Sequence, residues 1–337
     1  MAEAERKEKT RRHWRVLRAA LLSKTQDDKG ESASGTASAI STQFFPLFTA
    51  APVRGAAQIQ HKPADGFEWT AYDLSLPSAD ALASPAKRIV YVHEKQKQVQ
   101  RVSVAELLSH QVNNGVDNTG NIRTWPSEQI LLWLMLQNRV FHHAQTKDEK
   151  PGTAAPINCC ELGSGMAGLA SLGLLAHAPF AIDRMLITDG NPRCVDSLTA
   201  AVSENQRQGM LARSGSAQVS AALLRWDRNV HLPDAWRNQF DLVFASDCLF
   251  FEDFHVDLVH TIKQLLRPEI GRCLLLQPSR GGSMERFCVS ARANGLSIEV
   301  TGEYDPEISR RHREYLQTRS DYVPDVHFPQ LVIASLP

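Results

Sequence analysis

Three glycines, Gly163, Gly165 and Gly168, stand in a G-x-G-x-x-G spacing within Glu161-Leu-Gly-Ser-Gly-Met-Ala-Gly168. Glycine at such positions permits a tight turn and lets backbone N–H groups and a helix N-terminus approach a polar ligand closely, which suits the polar parts of a nucleoside cofactor. An acid, Asp189, follows in Thr188-Asp-Gly-Asn191, twenty-six residues after Gly163. A carboxylate there can accept hydrogen bonds from both hydroxyls of a ribose. The competing readings are a glycine turn without a ligand and an aspartate that only caps a helix. Finding glycines and acid together weighs against both.

Three further residue groups bear on which cofactor is meant. Glu161 leads into the glycine loop at a place where NAD sites usually have an apolar residue, and its carboxylate can meet an ammonium group directly or through water. Leu224-Arg-Trp-Asp227 offers the Trp226 indole to pack on adenine and the Asp227 carboxylate to accept from the exocyclic amine. The run Asp241-Leu-Val-Phe-Ala-Ser-Asp247-Cys-Leu-Phe250-Phe251 closes an apolar segment with an acid and two aromatics. Together these favour S-adenosylmethionine. An NAD-dependent oxidoreductase would use Gly163 to Gly168 and Asp189 but would leave Trp226, Asp227 and Asp247 to Phe250 without a task. Burial of Trp226 and the aromatics in a core, with Asp247 as a helix cap, is the bland alternative.

The elements that must position these groups alternate. Ile157–Leu162, Met185–Thr188, Asp241–Ser246 and Cys273–Gln277 read as strands, with helices near 168–177, 192–208, 253–266 and 283–294, and strands follow at Leu296–Val300 and Leu331–Ala334. Strands joined by helical crossovers specify an α/β fold, a mostly parallel sheet covered on both faces that binds ligands at its carboxyl edge. Ahead of it, Trp125-Pro-Ser-Glu begins a helix through Gln129 to Val140 with Ser127 as candidate N-cap. Residues 44–115 read as a small β-rich module with strands at Glu68–Leu76 and Arg88–His93 and a short helix over 102–110. Residues 1–43 comprise a basic amphipathic helix, with Trp14, Leu17 and Leu21 on one face, and a Ser/Gly-rich linker. The domain order is thus 1–43, 44–115 and 116–337.

Lys+Arg and Asp+Glu each total 37, so any charge that guides a partner must be local. No stretch reaches the length of a membrane span and no basic, aromatic-interleaved run marks a nucleic-acid surface, so neither membrane nor nucleic acid is an expected partner. The six cysteines form no CxxC pair, which points to reduced thiols in cytoplasm or nucleus and to no metal site. The basic N-terminal helix suits an acidic protein partner.

With these residues in view, the chain resembles the seven-strand, Rossmann-like class I protein-lysine methyltransferases, and within them the calmodulin-lysine branch. The matching stretches are Arg11–Arg18, Val116–Asn121 with Trp125–Glu128, Cys160–Gly165, Leu186–Asn191, Leu224–Asp227, Ala245–Phe250 and Tyr304-Asp305. The glycine loop is shared very widely, whereas Trp-Pro-Ser-Glu with Asp-Cys-Leu-Phe is much more selective. The resemblance implies that Trp125, Glu161, Gly163, Gly165, Asp189, Trp226, Asp227 and Ser246 hold S-adenosylmethionine. It implies that Asp247 and Phe250 act in transfer, that Phe250 and Phe251 line the substrate side, and that the substrate is calmodulin; a monomer is expected, although no sequence feature fixes the oligomeric state. Another protein, a small molecule or a nucleic acid as substrate, or a non-catalytic binding role, are the rivals.

Overall fold

A computed structural model describes residues 44–54, 59–63, 66–76, 88–95, 124–138, 155–211 and 217–337. The basic N-terminal helix, the linker after it, the expected helix over 102–110 and the 115/116 boundary lie outside the described residues.

A seven-stranded sheet organises the larger part. Its strands are β4 (Ile157–Leu162), β5 (Ile182–Asp189), β6 (Gln218–Leu223), β7 (Leu242–Ser246), β8 (Arg272–Gln277), β9 (Ser297–Thr301) and β10 (Gln330–Ser335), in the spatial order β6-β5-β4-β7-β8-β10-β9. All neighbours are parallel except β10, which runs antiparallel to both β8 and β9. This is a Rossmann-like seven-strand architecture, as the alternation of strands and helices predicts. Strand β4 separates β5 on one side from β7 on the other, so the chain reverses its direction of travel across the sheet there. A crevice opens outside the carboxyl ends of the strands at such a switch point.

Helices α2 (Leu169–His177), α3 (Pro192–Arg207), α4 (His255–Leu265) and α5 (Ser283–Ala293) follow β4, β5, β7 and β8. The central strands are almost fully buried, as a sheet covered on both faces requires, and the apolar residues fall into two clusters. Leu169, Leu172, Met185 and Phe244 belong to one cluster, and Leu162, Val243, Leu258 and Phe287 to the other.

Before the sheet comes α1 (Pro126–Leu136), ten of whose eleven residues are buried, as suits a helix apolar on all sides. Its N-cap is Trp125, correcting the expectation of Ser127. Pro126 fills the first helical turn, where its missing N–H costs nothing, so the cap must precede it and Ser127 is buried inside the helix. A second sheet of three antiparallel strands, β1 (Thr49–Pro52), β2 (Phe67–Asp73) and β3 (Ile89–Lys95), packs on α3. Trp69, Tyr72, Val90 and Val92 join the same apolar cluster as Leu132 and Leu169, so the two sheets share a core. Asn205 of α3 holds the free edge of β3 as a strand would: its Oδ1 accepts from Tyr91 N (2.9 Å) and its Nδ2 donates to Tyr91 O (2.6 Å). Toward the C-terminus, α6 (Pro306–Thr318) is capped by Asp305, which accepts from Glu307 N and Ile308 N, and a short helix α7 (Pro324–His327) precedes β10.

Candidate functional site

Each glycine of the loop after β4 has positive φ: 64° at Gly163, 64° at Gly165 and 56° at Gly168. Only glycine adopts that conformation without strain, so the spacing is explained by backbone shape. Asp189, at the end of β5, fastens the loop. Its Oδ2 accepts from Gly165 N (2.9 Å) and its Oδ1 from Asn191 N (2.8 Å). The cap of α3 is Asn191, whose side chain accepts from Arg193 N (2.9 Å), which leaves Asp189 directed at the glycine loop. A Cβ added at Gly163 would lie 3.4 Å from the Trp226 ring and 4.0 Å from Cys248 Cβ. The loop, the segment after β6 and the segment after β7 therefore meet at one point. Burial and the neighbouring Asp247 charge push the Cys248 thiol up to about 12.

On the other side of that point stands the segment after β7. Asp247 has a left-handed backbone, φ 55°. Its carboxylate receives Arg280 Nη2 at 2.5 Å. The Arg280 guanidinium lies 5.7 Å from the Trp125 ring centroid and 5.9 Å from that of Phe250, and Phe250 meets Phe251 edge-on at 5.1 Å. Three groups brace the turn by holding Leu249: Gln277 accepts from its N–H (2.7 Å), while His255 Nε2 (2.9 Å) and Ser283 Oγ bond its carbonyl. Ser246 ends β7 opposite Leu276.

Two expected contacts take a particular form. Glu161 is 1% exposed, and its carboxylate accepts from Ser171 N (3.2 Å) and Ser171 Oγ (2.5 Å) near the start of α2. Burial pushes it up to about 7, against the pull of the Ser171 hydrogen bonds, and the Asp189 charge adds to the rise. Glu128 of α1 accepts from Ala170 N (3.2 Å) and is likewise raised, first by burial and then by Glu161. Two carboxyl groups thus crowd under one helix N-terminus, whose amides and positive dipole end favour their charged forms while burial and mutual repulsion oppose them. Asp227 accepts from Asn229 N (2.8 Å) and Asn229 Nδ2 (3.0 Å), forming a turn at the exposed rim beyond Trp226.

The residues inferred from sequence are therefore gathered at the carboxyl ends of β4, β5, β6 and β7, with Trp125 brought in from the start of α1. Arg280, Glu128 and Gln277 were not foreseen. A sequence signal existed for Arg280: Ser279-Arg-Gly-Gly follows the end of a central parallel strand, where ligand-facing loops arise.

A model of the lysine methyltransferase family matches residues 110–292. The chain is also 30% identical, over 303 residues covering 89% of it and 86% of the relative, to calmodulin-lysine N-methyltransferase of Arabidopsis thaliana. The chain belongs to the lysine methyltransferase family. Among solved structures this lysine methyltransferase is similar to a methyltransferase from Pyrococcus furiosus, at 13% identity and a TM-score of 0.39 over 71% of this chain and 96% of that one. It is similar too to the branched-chain polyamine synthase of Thermus thermophilus in complex with N4-aminopropylspermidine and 5'-methylthioadenosine, at 17% identity and a TM-score of 0.37. That match covers 63% of this chain and little more than half, 56%, of the synthase.

The methyl donor of the lysine methyltransferase is S-adenosylmethionine. The residues present fit it. A glycine cradle that a single Cβ at position 163 would begin to fill, a carboxylate at the end of the second strand, an indole beside the loop and acids under α2 offer partners for its backbone-facing, ribose, adenine and ammonium parts. Among the described residues no helix is long and apolar enough to cross a membrane, and no group of His, Cys, Asp and Glu could hold a metal ion.

Proposed function

We propose that this lysine methyltransferase transfers a methyl group to a lysine of calmodulin, and that Trp125, Glu161, Gly163, Gly165, Asp189, Trp226, Asp227 and Ser246 form its donor site. The observation that supports calmodulin most directly is the extent of the Arabidopsis relative, which aligns over 89% of the chain and so includes the β1–β3 sheet as well as the donor half.

When bound, S-adenosylmethionine supplies an electrophilic methyl carbon on a sulfonium. The chain's own groups then have to align and desolvate the amine. Asp247, held in a fixed backbone conformation at the end of β7, receives the amine and directs its lone pair toward the glycine loop. The rings of Phe250 and Phe251, perpendicular to one another, flank the lysine stem and any cationic state of the amine. Removal of water by these rings lowers the pKa of the amine, so that its proton can leave to solvent without a dedicated base. The lone pair on Nζ forms the new N–C bond as the C–S bond breaks, with the electron pair departing on sulfur.

The test is transfer of a radiolabelled methyl group into purified unmethylated calmodulin, compared with bulk lysate protein. Label in calmodulin at the lysine side chain is the expected result. Label in lysate proteins with none in calmodulin would reject calmodulin while keeping protein-lysine methylation, and label in nucleic acid or small molecules alone would reject the protein substrate.

A further inference from the structure

We propose that Arg280 occupies the lysine position in the resting enzyme, and that the substrate amine enters by displacing it. This rests on the reading above that Asp247 and Phe250 receive the lysine.

The first observation is chemical coincidence. A lysine ammonium at this place needs an anion and aromatic faces, and the Arg280 guanidinium has both: the Asp247 carboxylate at 2.5 Å, and the rings of Phe250 and Trp125 at 5.9 and 5.7 Å. Two cations cannot share one carboxylate between the same rings without strong repulsion. The pair is also largely withdrawn from water, with side chains 8% (Asp247) and 12% (Arg280) exposed. The arginine therefore fills space that an incoming stem would need.

The second observation is that the arginine is held incompletely. Its Nε is buried with no hydrogen-bond acceptor among the described residues, although nearly all buried donors find one. A guanidinium so placed is bound by one charge contact and two ring faces, a set that a competing cation can match.

The third observation concerns the backbone. Arg280, Gly281 and Gly282 have φ of 49°, 72° and 80°, three successive left-handed residues between β8 and α5. For arginine that conformation is strained, so the surroundings must enforce it. Asp325 does so: its carbonyl accepts from Arg280 N (2.7 Å) and its Oδ2 from Gly281 N (2.8 Å). The loop is pinned at its amides from α7, so the side chain can leave Asp247 without moving the backbone, on the side of Gly281, where an added Cβ would meet nothing within 4 Å.

An enzyme whose site is filled by its own arginine most of the time binds substrate more weakly in proportion to the open fraction. Arg280→Ala should thus lower KM for calmodulin by about three- to tenfold while S-adenosylhomocysteine affinity, measured by calorimetry, stays unchanged. A second probe is independent of the protein substrate: n-butylammonium chloride, a mimic of the lysine stem and head. It should raise Tm of the Arg280→Ala enzyme, and should do so neither for the parent enzyme nor for Arg280→Ala with Asp247→Asn. Arg280→Lys, which keeps the charge but not the span across both rings, should fall between, and serves if the alanine variant does not fold. An unchanged or raised KM without a butylammonium effect overturns the proposal, as does a fall in kcat at constant KM, which would make Arg280 a positioning residue for Asp247. If no variant labels calmodulin yet Arg280→Ala responds to butylammonium, the calmodulin reading fails and the displaced arginine stands. If calmodulin is labelled with neither KM nor butylammonium response altered, the converse holds.

Discussion

Asp247 carries its carboxylate on a backbone with φ of 55°, a region that costs most residues of the order of 1 kcal/mol and that Asp and Asn tolerate best. Asparagine is therefore the substitution that removes the charge and leaves the turn intact, whereas alanine would confound the two. Asp247→Asn is expected to lower kcat for lysine methylation at least about a hundredfold, in the range lost when a single transition-state contact is removed, with S-adenosylhomocysteine affinity within about twofold of the parent. A parallel loss of cofactor affinity, or an altered circular dichroism spectrum, would show that the side chain supports the fold instead. At this scale the sequence was readable wherever one side chain's chemistry and its distance along the chain were enough: Gly163, Gly165, Asp189 and Asp247 all stand at strand ends. It was unreadable where two residues meet only in space. Arg280 is thirty-three positions from Asp247, and no spacing rule links them. Glu161 lies between these cases, because its place before the glycines was evident while its hydrogen bonds to Ser171, ten residues on, depend on how α2 leaves the loop.

Strand β4 was placed to the residue and β7, β8, α2 and α5 to within one or two, because buried parallel strands and the helices covering them have strong apolar patterns. Strand β6 was missed. It is the edge of the sheet, none of its six residues is fully buried, and Gln-Val-Ser-Ala-Ala-Leu has too little apolar contrast to declare itself. Helix α6 was missed for a related reason, since Ile308 alone among its residues is fully buried and its surface is a ladder of Arg310 and Arg311 with Glu307 and Glu314. The Asp305-Pro306 start, an N-cap followed by proline, is the local signal that the sequence offers there. The glycine loop joins element to element as well as protein to cofactor. At Gly168 an added Cβ would come within 2.5 Å of Leu198 in α3, at a φ of 56°. Gly168→Ala should therefore destabilise the protein by about 2 kcal/mol or more from overpacking and strain together, lowering the urea midpoint even without cofactor. A midpoint equal to the parent's would mean that α2 and α3 can move apart freely.

Across the whole molecule, the β1–β3 sheet is bound to the larger one by polar clamps as well as by shared apolar packing. Glu204, on α3, is the chief of these: its side chain is fully buried, and it accepts from Gln60 N (3.2 Å), His61 Nδ1 (3.1 Å), Gln208 Nε2 (3.1 Å) and Arg207. Burial alone would raise this carboxyl, but the hydrogen bonds from Arg207, His61, Gln208 and the Gln60 amide outweigh it and hold it at about 2. A carboxyl lowered on folding stabilises the native state fully above its unfolded pKa, and that contribution is lost as pH falls through the folded value. Stability should accordingly decline between about pH 4.5 and pH 2 through this group, by roughly 1–2 kcal/mol once the partial exposure of Arg207 and His61 is allowed for. Glu204→Gln should flatten that part of the acid unfolding profile measured by fluorescence, and an unaltered slope would exclude the clamp.

Strand β9 has one neighbour in the sheet, β10, and β10 arrives from later in the chain to run against both β8 and β9. During synthesis, β8 and β9 must therefore wait with open hydrogen-bonding edges until Gln330 to Ser335 has emerged from the ribosome. A stop codon just ahead of that stretch would forfeit more than six residues: it would cut β9 loose, bare the buried Leu274 and Leu276 on β8, and leave a nascent product apt to pair with other chains.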